Sequence, residues 1–171
     1  MSFVIEPRGY ADAHVQQLVA EVQSEYVIRY GGPDEARVDP SEFDPPGGLF
    51  LVGLLDGVPS AMGGWRRLTD RGDDDIAEIK RMYVVTAARR RGLSRVMLAE
   101  LEATAAAAGV HRVVLNTGDQ QPEAIALYES SDYVTVDGFG HYACAPGAVF
   151  YGKTLAAIDA TDSSAGAISR E

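Results

Sequence analysis

Glu78-Ile79-Lys80-Arg81-Met82-Tyr83-Val84-Val85-Thr86-Ala87-Ala88-Arg89-Arg90-Arg91-Gly92-Leu93-Ser94-Arg95-Val96-Met97-Leu98 begins as a strand and ends as a helix. Ile79, Met82, Tyr83, Val84 and Val85 form a β-prone, largely apolar run. Leu93, Met97 and Leu101 then recur at i, i+4 spacing, which predicts a helix over Leu93 to Ala108. Between the two lies the basic turn Arg89-Arg90-Arg91-Gly92-Leu93-Ser94. A strand that feeds such a turn into a helix N-terminus holds phosphate. The amides of the first helical turn have no intrahelical partner, and the helix dipole adds to their pull on an anion. Gly92 lets the backbone approach the ligand without a Cβ in the way.

Working outward, Phe3-Val4-Ile5 reads as an opening strand, and Ala11 to Tyr30 as a helix started by Asp12 and stopped by Gly31-Gly32-Pro33. Residues 33–47 are polar and proline-containing, a long loop with a helical turn at 40–43. Leu49–Leu55 and Val58–Leu68 flank the hairpin signal Asp56-Gly57, with adjacent Gly63 and Gly64 marking a bulge or a close backbone approach. Thr69 to Asp74 is a polar turn, and Ile76 to Val85 the third strand of this meander. Past the second helix, which Gly109 ends, His111–Asn116 is a buried strand and Pro122 opens a short helix through Ser131. Tyr133–Val136 and Val149–Leu155 are strands separated by the loop Gly138–Gly147. Ala156 to Glu171 is small, polar and unpatterned and reads as a mobile tail, which leaves residues 1–155 as the domain. The order β-α-loop-βββ-α-β-α-β-β implies a mixed sheet with helices on its faces, an α/β class.

Arg89-x-x-Gly92-x-Ser94 resembles the Gln/Arg-x-x-Gly-x-Gly/Ala signature with which the GCN5-related N-acetyltransferases (GNAT) bind the pyrophosphate of acetyl-coenzyme A. Ser94 departs from the usual Gly or Ala, but it is small and its hydroxyl can donate to phosphate. Gln121 through Ala124 to Leu127-Tyr128 resembles the family's second motif, with Asp132-Tyr133 where Gly-Tyr is commoner. The resemblance covers residues 3–155 and has the element order of the GNAT acyl-CoA N-acyltransferase fold.

The resemblance implies acetyl transfer from acetyl-CoA to an amine of a small molecule or peptide by direct attack in a ternary complex. The amine must lose a proton, the oxyanion must be stabilised and the departing thiolate must gain a proton. By resemblance Tyr128 is the acid beside the sulfur, a phenol of pKa about 10 facing a thiol of about 8.5. Glu78 is the leading base, acting directly or through a water chain, with His141 and Asp119 as weaker alternatives. Backbone amides near Met82, Tyr83 and Val84 serve the oxyanion, and Arg89, Arg90, Arg91, Gly92, Leu93, Ser94 and Arg95 hold the pyrophosphate. Asn116 is carried over as a contact of the pantetheine arm or the acceptor. Tyr26, Tyr30, Trp65, His141 and Tyr142 are candidate acceptor-pocket residues, and each suits plain packing as well. A homodimer is common in the family.

The chain has 171 residues, 46% hydrophobic and 23% charged, with a formal net charge of −10. That length suits one domain with a substantial core. Such a charge argues against a general nucleic-acid binder, and no apolar run is long enough for a membrane span. The positive charge gathers instead at Lys80, Arg81, Arg89, Arg90, Arg91 and Arg95, as suits a small anionic ligand. The single cysteine, Cys144, forms no internal disulfide, and the N-terminus lacks a signal core, so a cytoplasmic protein is expected. No His/Cys/Asp cluster has metal-ligand spacing, so no metal is expected. Without Gly-x-x-x-x-Gly-Lys-Ser/Thr or Gly-x-Gly-x-x-Gly, a nucleotide-binding protein is disfavoured. A non-catalytic acyl-CoA-binding or sensing module with the same fold is the alternative, and retention of Tyr128 argues against it.

Overall fold

The computed structural model describes residues 1–69 and 75–157. The turn expected at Thr69 to Asp74 and the tail expected from Ala156 therefore lie largely outside the described residues. One seven-stranded sheet is ordered β1-β2-β3-β4-β5-β7-β6. Its strands are β1 (Phe3–Pro7), β2 (Gly48–Leu55), β3 (Val58–Arg67), β4 (Ile76–Val84), β5 (Arg112–Gly118), β6 (Val134–Thr135) and β7 (Ala148–Thr154). The helices are α1 (Ala13–Tyr30), α2 (Leu93–Ala107) and α3 (Pro122–Glu129), and a 3-10 turn spans Pro40–Phe43. Among the described residues no helix is long and apolar enough to cross a membrane.

The sheet has two covered faces. Met97, Leu101 and Leu98 of α2 pack with Leu51, Ala61 and Ile79 on one. Val15, Leu18 and Val22 of α1 pack with Phe43, Phe50, Val52 and Met62 on the other. The i, i+3/i+4 periodicity read from the sequence is this burial. Asp12 caps α1 by accepting from the His14 amide at 2.8 Å.

Two irregularities position the site. The first is in β4. Met62 pairs with Tyr83 and Gly64 with Lys80, so Arg81 and Met82 together oppose Gly63. The extra residue is a bulge, and Arg81 sits in it at φ 59°. A non-glycine residue there costs about 1–2 kcal/mol. The bulge expected from Gly63-Gly64 is present, but its extra residue lies on the partner strand. The second is the parting of β4 from β5. The two pair in parallel only at Ile76–Arg112, Ala77–Val113 and Glu78–Val114. Beyond Glu78 they diverge, and the edge of β4 from Lys80 onward faces a cleft.

Candidate active site

The cleft holds two cavities. One, of about 320 Å³, lies over the strand-to-helix turn and is lined by Tyr83, Val84, Arg89, Arg90, Gly92, Leu93, Ser94 and Leu127, among others. The other, of about 440 Å³, lies between the end of α1, β4, β5 and the loop before β7. Met82, Gln121, Ala124 and Tyr128 line both. A group leaving one cavity for the other passes these side chains.

The first cavity is built mainly around backbone that is suited to an anion. The earliest helical bonds of α2 run from the Arg95 and Val96 amides to the Gly92 carbonyl. The amides of Gly92, Leu93 and Ser94 precede them and have no backbone acceptor among the described residues. Gly92 holds φ 76° with open space where a Cβ would stand. A phosphate can rest on the turn, and the exposed Arg90 adds positive charge. Free amides at a helix N-terminus, an open glycine and a cleft leading to Tyr128 fit the pyrophosphate and arm of coenzyme A.

The other arginines differ from expectation. Arg89 lines the cavity, but its Nε donates to the Val84 carbonyl at 2.9 Å and its Nη2 to Glu25 at 2.7 Å. It staples the turn to α1. Arg91 and Arg95 do not line it. Arg91 lies against the Met1 sulfur, and Arg95 donates to Ser130 and Ser131 after α3.

Tyr128 stands at the junction, buried, with its hydroxyl 3.9 Å from the Met82 sulfur, a weak acceptor. Burial pushes its pKa well above that of a free phenol, so it carries its proton across the physiological range. Tyr26, on the acceptor side, is pushed up to about 12, chiefly by burial and against the pull of Arg81.

The second cavity is lined by side chains from across the chain. Tyr26, Tyr30, Asp34, Lys80, Arg81, Asn116 and Tyr142 all face it. Asn116 thus lies on the acceptor side and not in the turn cavity. Asp34 ties the walls together. It pairs with Arg81 Nη1 at 2.8 Å and accepts from the Tyr142 hydroxyl at 2.8 Å and the Ala36 amide at 2.9 Å. Burial is the largest influence and would raise its pKa; Arg81, Lys80 and the hydrogen bonds from Ala36 and Tyr142 together outweigh it and hold the carboxyl below its ordinary range. Tyr30 closes one side, with its hydroxyl accepting from Gln121 at 3.1 Å.

Three expected site residues do not face the cavities. Trp65 is 2% exposed, packed under α2, with its indole N–H donating to Thr104 at 3.1 Å. It sits on the face of β3 opposite the acceptor cavity, so it is a core residue. Glu78 is buried outside both cavities and lies 3.1 Å from Arg66 and 3.8 Å from Lys80. Its oxygens are engaged by two cations, an arrangement unlike a base open to the acceptor. His141 is exposed, its ring edge on Tyr142 at 4.6 Å. Asp34, Lys80, Arg81, Gln121 and Gly118 line the site without having been singled out for it. Two consecutive cations within an apolar strand were the available signal. Charge alone groups them with the arginines of the turn; the bulge turns them to the second cavity.

A strand-to-helix anion turn opening through a tyrosine into a second cavity defines an acyl-CoA-dependent transferase. Comparison with known proteins agrees. Residues 15–133 match the model of the acetyltransferase (GNAT) family. The chain belongs to this family, whose acetyl donor is acetyl-CoA. It is 30% identical over 141 residues to an IAA acetyltransferase of Azospirillum brasilense, covering 82% of this chain and 90% of that one. Among solved structures it resembles an acyl-CoA N-acyltransferase of Klebsiella pneumoniae (26% identity, TM-score 0.74, 90% and 97% of the two chains). A Salmonella typhimurium acetyltransferase solved with its cofactor acetyl-CoA shares the fold at 19% identity, with a TM-score of 0.65 over 96% and 100% of the chains.

Proposed function

We propose that this acetyltransferase moves the acetyl group of acetyl-CoA onto a primary amine by direct attack in a ternary complex. The observation that carries the reading is the meeting of two cavities at Met82, Gln121, Ala124 and Tyr128. Both substrates can then be bound at once, with their reacting ends at one point. When bound, acetyl-CoA supplies an activated acetyl thioester: its acyl carbon bonds to the amine nitrogen as the C–S bond breaks, giving an amide and the free thiol. The amides of Gly92, Leu93 and Ser94 bind the pyrophosphate end. The unpaired edge of β4 at Met82 to Val84 offers N–H donors to the carbonyl oxygen. Tyr128 holds a proton at its hydroxyl and gives it to the sulfur.

The amine must lose a proton first. Of the carboxylates lining the acceptor cavity, Asp34 is engaged by Arg81 and Tyr142, and Glu35 is exposed at the rim. The proton leaves by water toward that rim, which is the water-chain route in place of direct abstraction by Glu78. The single unpaired cysteine and the absence of a membrane-spanning helix among the described residues support a cytoplasmic location for the same reading.

Calorimetric titration of acetyl-CoA, followed by thiol release against a panel of amines, tests the proposal. Micromolar binding and amine-dependent release are expected. Binding without release for any amine would indicate an acyl-CoA sensor, and an absence of binding would sink the reading at its centre.

A further inference from the structure

Two cations that line the acceptor cavity, Lys80 and Arg81, keep hydrogen-bond donors unused although Glu78 and Asp34 lie beside them. In a regular strand Lys80 and Arg81 would point to opposite faces of the sheet. The bulge breaks the alternation, and Ile79, Lys80, Arg81 and Met82 all line the one cavity. The Lys80 side chain is 7% exposed, and its ammonium lies 3.8 Å from Glu78, beyond hydrogen-bond reach. None of its three donors has an acceptor among the described residues. Arg81, 5% exposed, gives one Nη1 bond to Asp34, and its Nε is buried without a partner. Asp34 takes its hydrogen bonds from Arg81, Tyr142 and the Ala36 amide and meets Lys80 only by attraction at longer range. The orphaned Arg81 Nε and a Lys80 ammonium without a hydrogen bond leave room for an acceptor, which an anion supplies.

Lys80 and Arg81 line the same cavity as Met82 and Tyr128, the residues of the junction. An anion held on the two cations therefore shares one chamber with the point where the amine reacts. The rest of the cavity is apolar and aromatic, with Tyr26, Tyr30 and Tyr142 on its walls. We propose that the acceptor is an amino acid with an apolar or aromatic side chain, its carboxylate held by Lys80 and Arg81 and its amine presented to the acetyl group. This deepens the acetyltransferase reading and rests on it.

The test pairs apolar and aromatic L-amino acids with their decarboxylated amines: leucine with isopentylamine, phenylalanine with phenethylamine, tryptophan with tryptamine. Acetyl-CoA-dependent thiol release is compared per free amine. In the wild type kcat/KM favours the amino acid by about tenfold or more, the worth of one charge-assisted hydrogen bond. In Lys80→Met that preference falls toward one, mainly through KM, and Lys80→Arg restores part of it. Independently of turnover, calorimetry on protein saturated with coenzyme A detects phenylalanine with the wild type and loses it with Lys80→Met. Acetyl-CoA titration of each variant checks its fold. A wild type that acetylates the decarboxylated amines as well as the amino acids overturns this proposal and leaves the transferase reading standing. So does acetyl-CoA binding with no response to any amino acid. A wild type that binds no acetyl-CoA removes the transferase reading itself.

Discussion

The two cavities that meet at Tyr128 are made of different material. The cofactor side is a local object, in which consecutive residues from Val84 to Ser94 supply a strand end, a turn and a helix start. The ligand groups proposed there are backbone amides, and its side chains matter mostly by being small or absent. The acceptor side is assembled from α1, the loop after it, β4, β5 and the loop before β7. Its ligand groups are side chains as far apart in sequence as Tyr26 and Tyr142. A backbone site tolerates most substitutions and fails at a few. A side-chain site is tuned by many substitutions, each with a graded effect.

The sharpest way to break the comparison is Gly92→Glu. A carboxylate at the left-handed position would lie beside the amides of the turn; the space there is empty, so the cost to folding is the backbone strain of about 1–2 kcal/mol. Acetyl-CoA affinity should fall about a thousandfold, the loss of roughly two charge-assisted bonds plus repulsion, as read by calorimetry. Full affinity would show that the turn does not hold the cofactor. Tyr128→Phe should come next. It should lower kcat by about a hundredfold while leaving acetyl-CoA binding nearly intact, because the hydroxyl acts on the departing sulfur. An unchanged kcat in single-turnover experiments would remove the acid role.

Asp34→Asn probes the acceptor side. It leaves Arg81 buried and unpaired, and chemical denaturation should show a loss of about 2–3 kcal/mol near neutral pH. The pH dependence has a definite sign. The Asp34 carboxyl is held below its ordinary 3.8, so its contribution is complete above that value and disappears as pH falls through the lower folded-state value. The wild type should therefore lose its advantage over Asp34→Asn in acid, below about pH 4, and keep it at pH 6 and above. A constant gap would mean that Asp34 stabilises by shape and not by charge. The smallest effect belongs to Trp65→Phe. It removes the Thr104 bond and some core volume, for about 1–2 kcal/mol of stability, with kcat/KM unchanged. A selective rise in acceptor KM would return Trp65 to the site.

The same difference in material governs what could be read from the chain. The order of elements along the chain, both long helices and the strand-to-helix turn were legible because each is written locally: period-2 and period-3.6 burial, Asp12 and Gly31 at the ends of α1, Gly92 before α2. Tyr128 was reached only through the motif it shares with a family. Of the wall of the second cavity Tyr26, Tyr30 and Tyr142 were legible, and its charged residues were not. Nothing near Trp65 announces that its face of β3 lies under α2, and nothing near Glu78 announces Arg66. The one local clue, two cations in an apolar strand, needed the bulge at Arg81 to give it direction, and an arginine in a glycine-like conformation leaves no sequence signature.

Gly118 and Tyr30 meet at the acceptor wall so closely that a Cβ on Gly118 would stand 2.0 Å from the tyrosine oxygen. The two positions therefore share one volume. Across descendants of this chain they should covary: a larger residue at 118 should appear only with a shorter one at 30. Exchanging bulk between β5 and the end of α1 would move the wall of the chamber without disturbing the turn between β4 and α2. This is a route by which one donor site could acquire new acceptors through paired substitutions, and a library randomised at both codons together should find variants that single-site libraries miss.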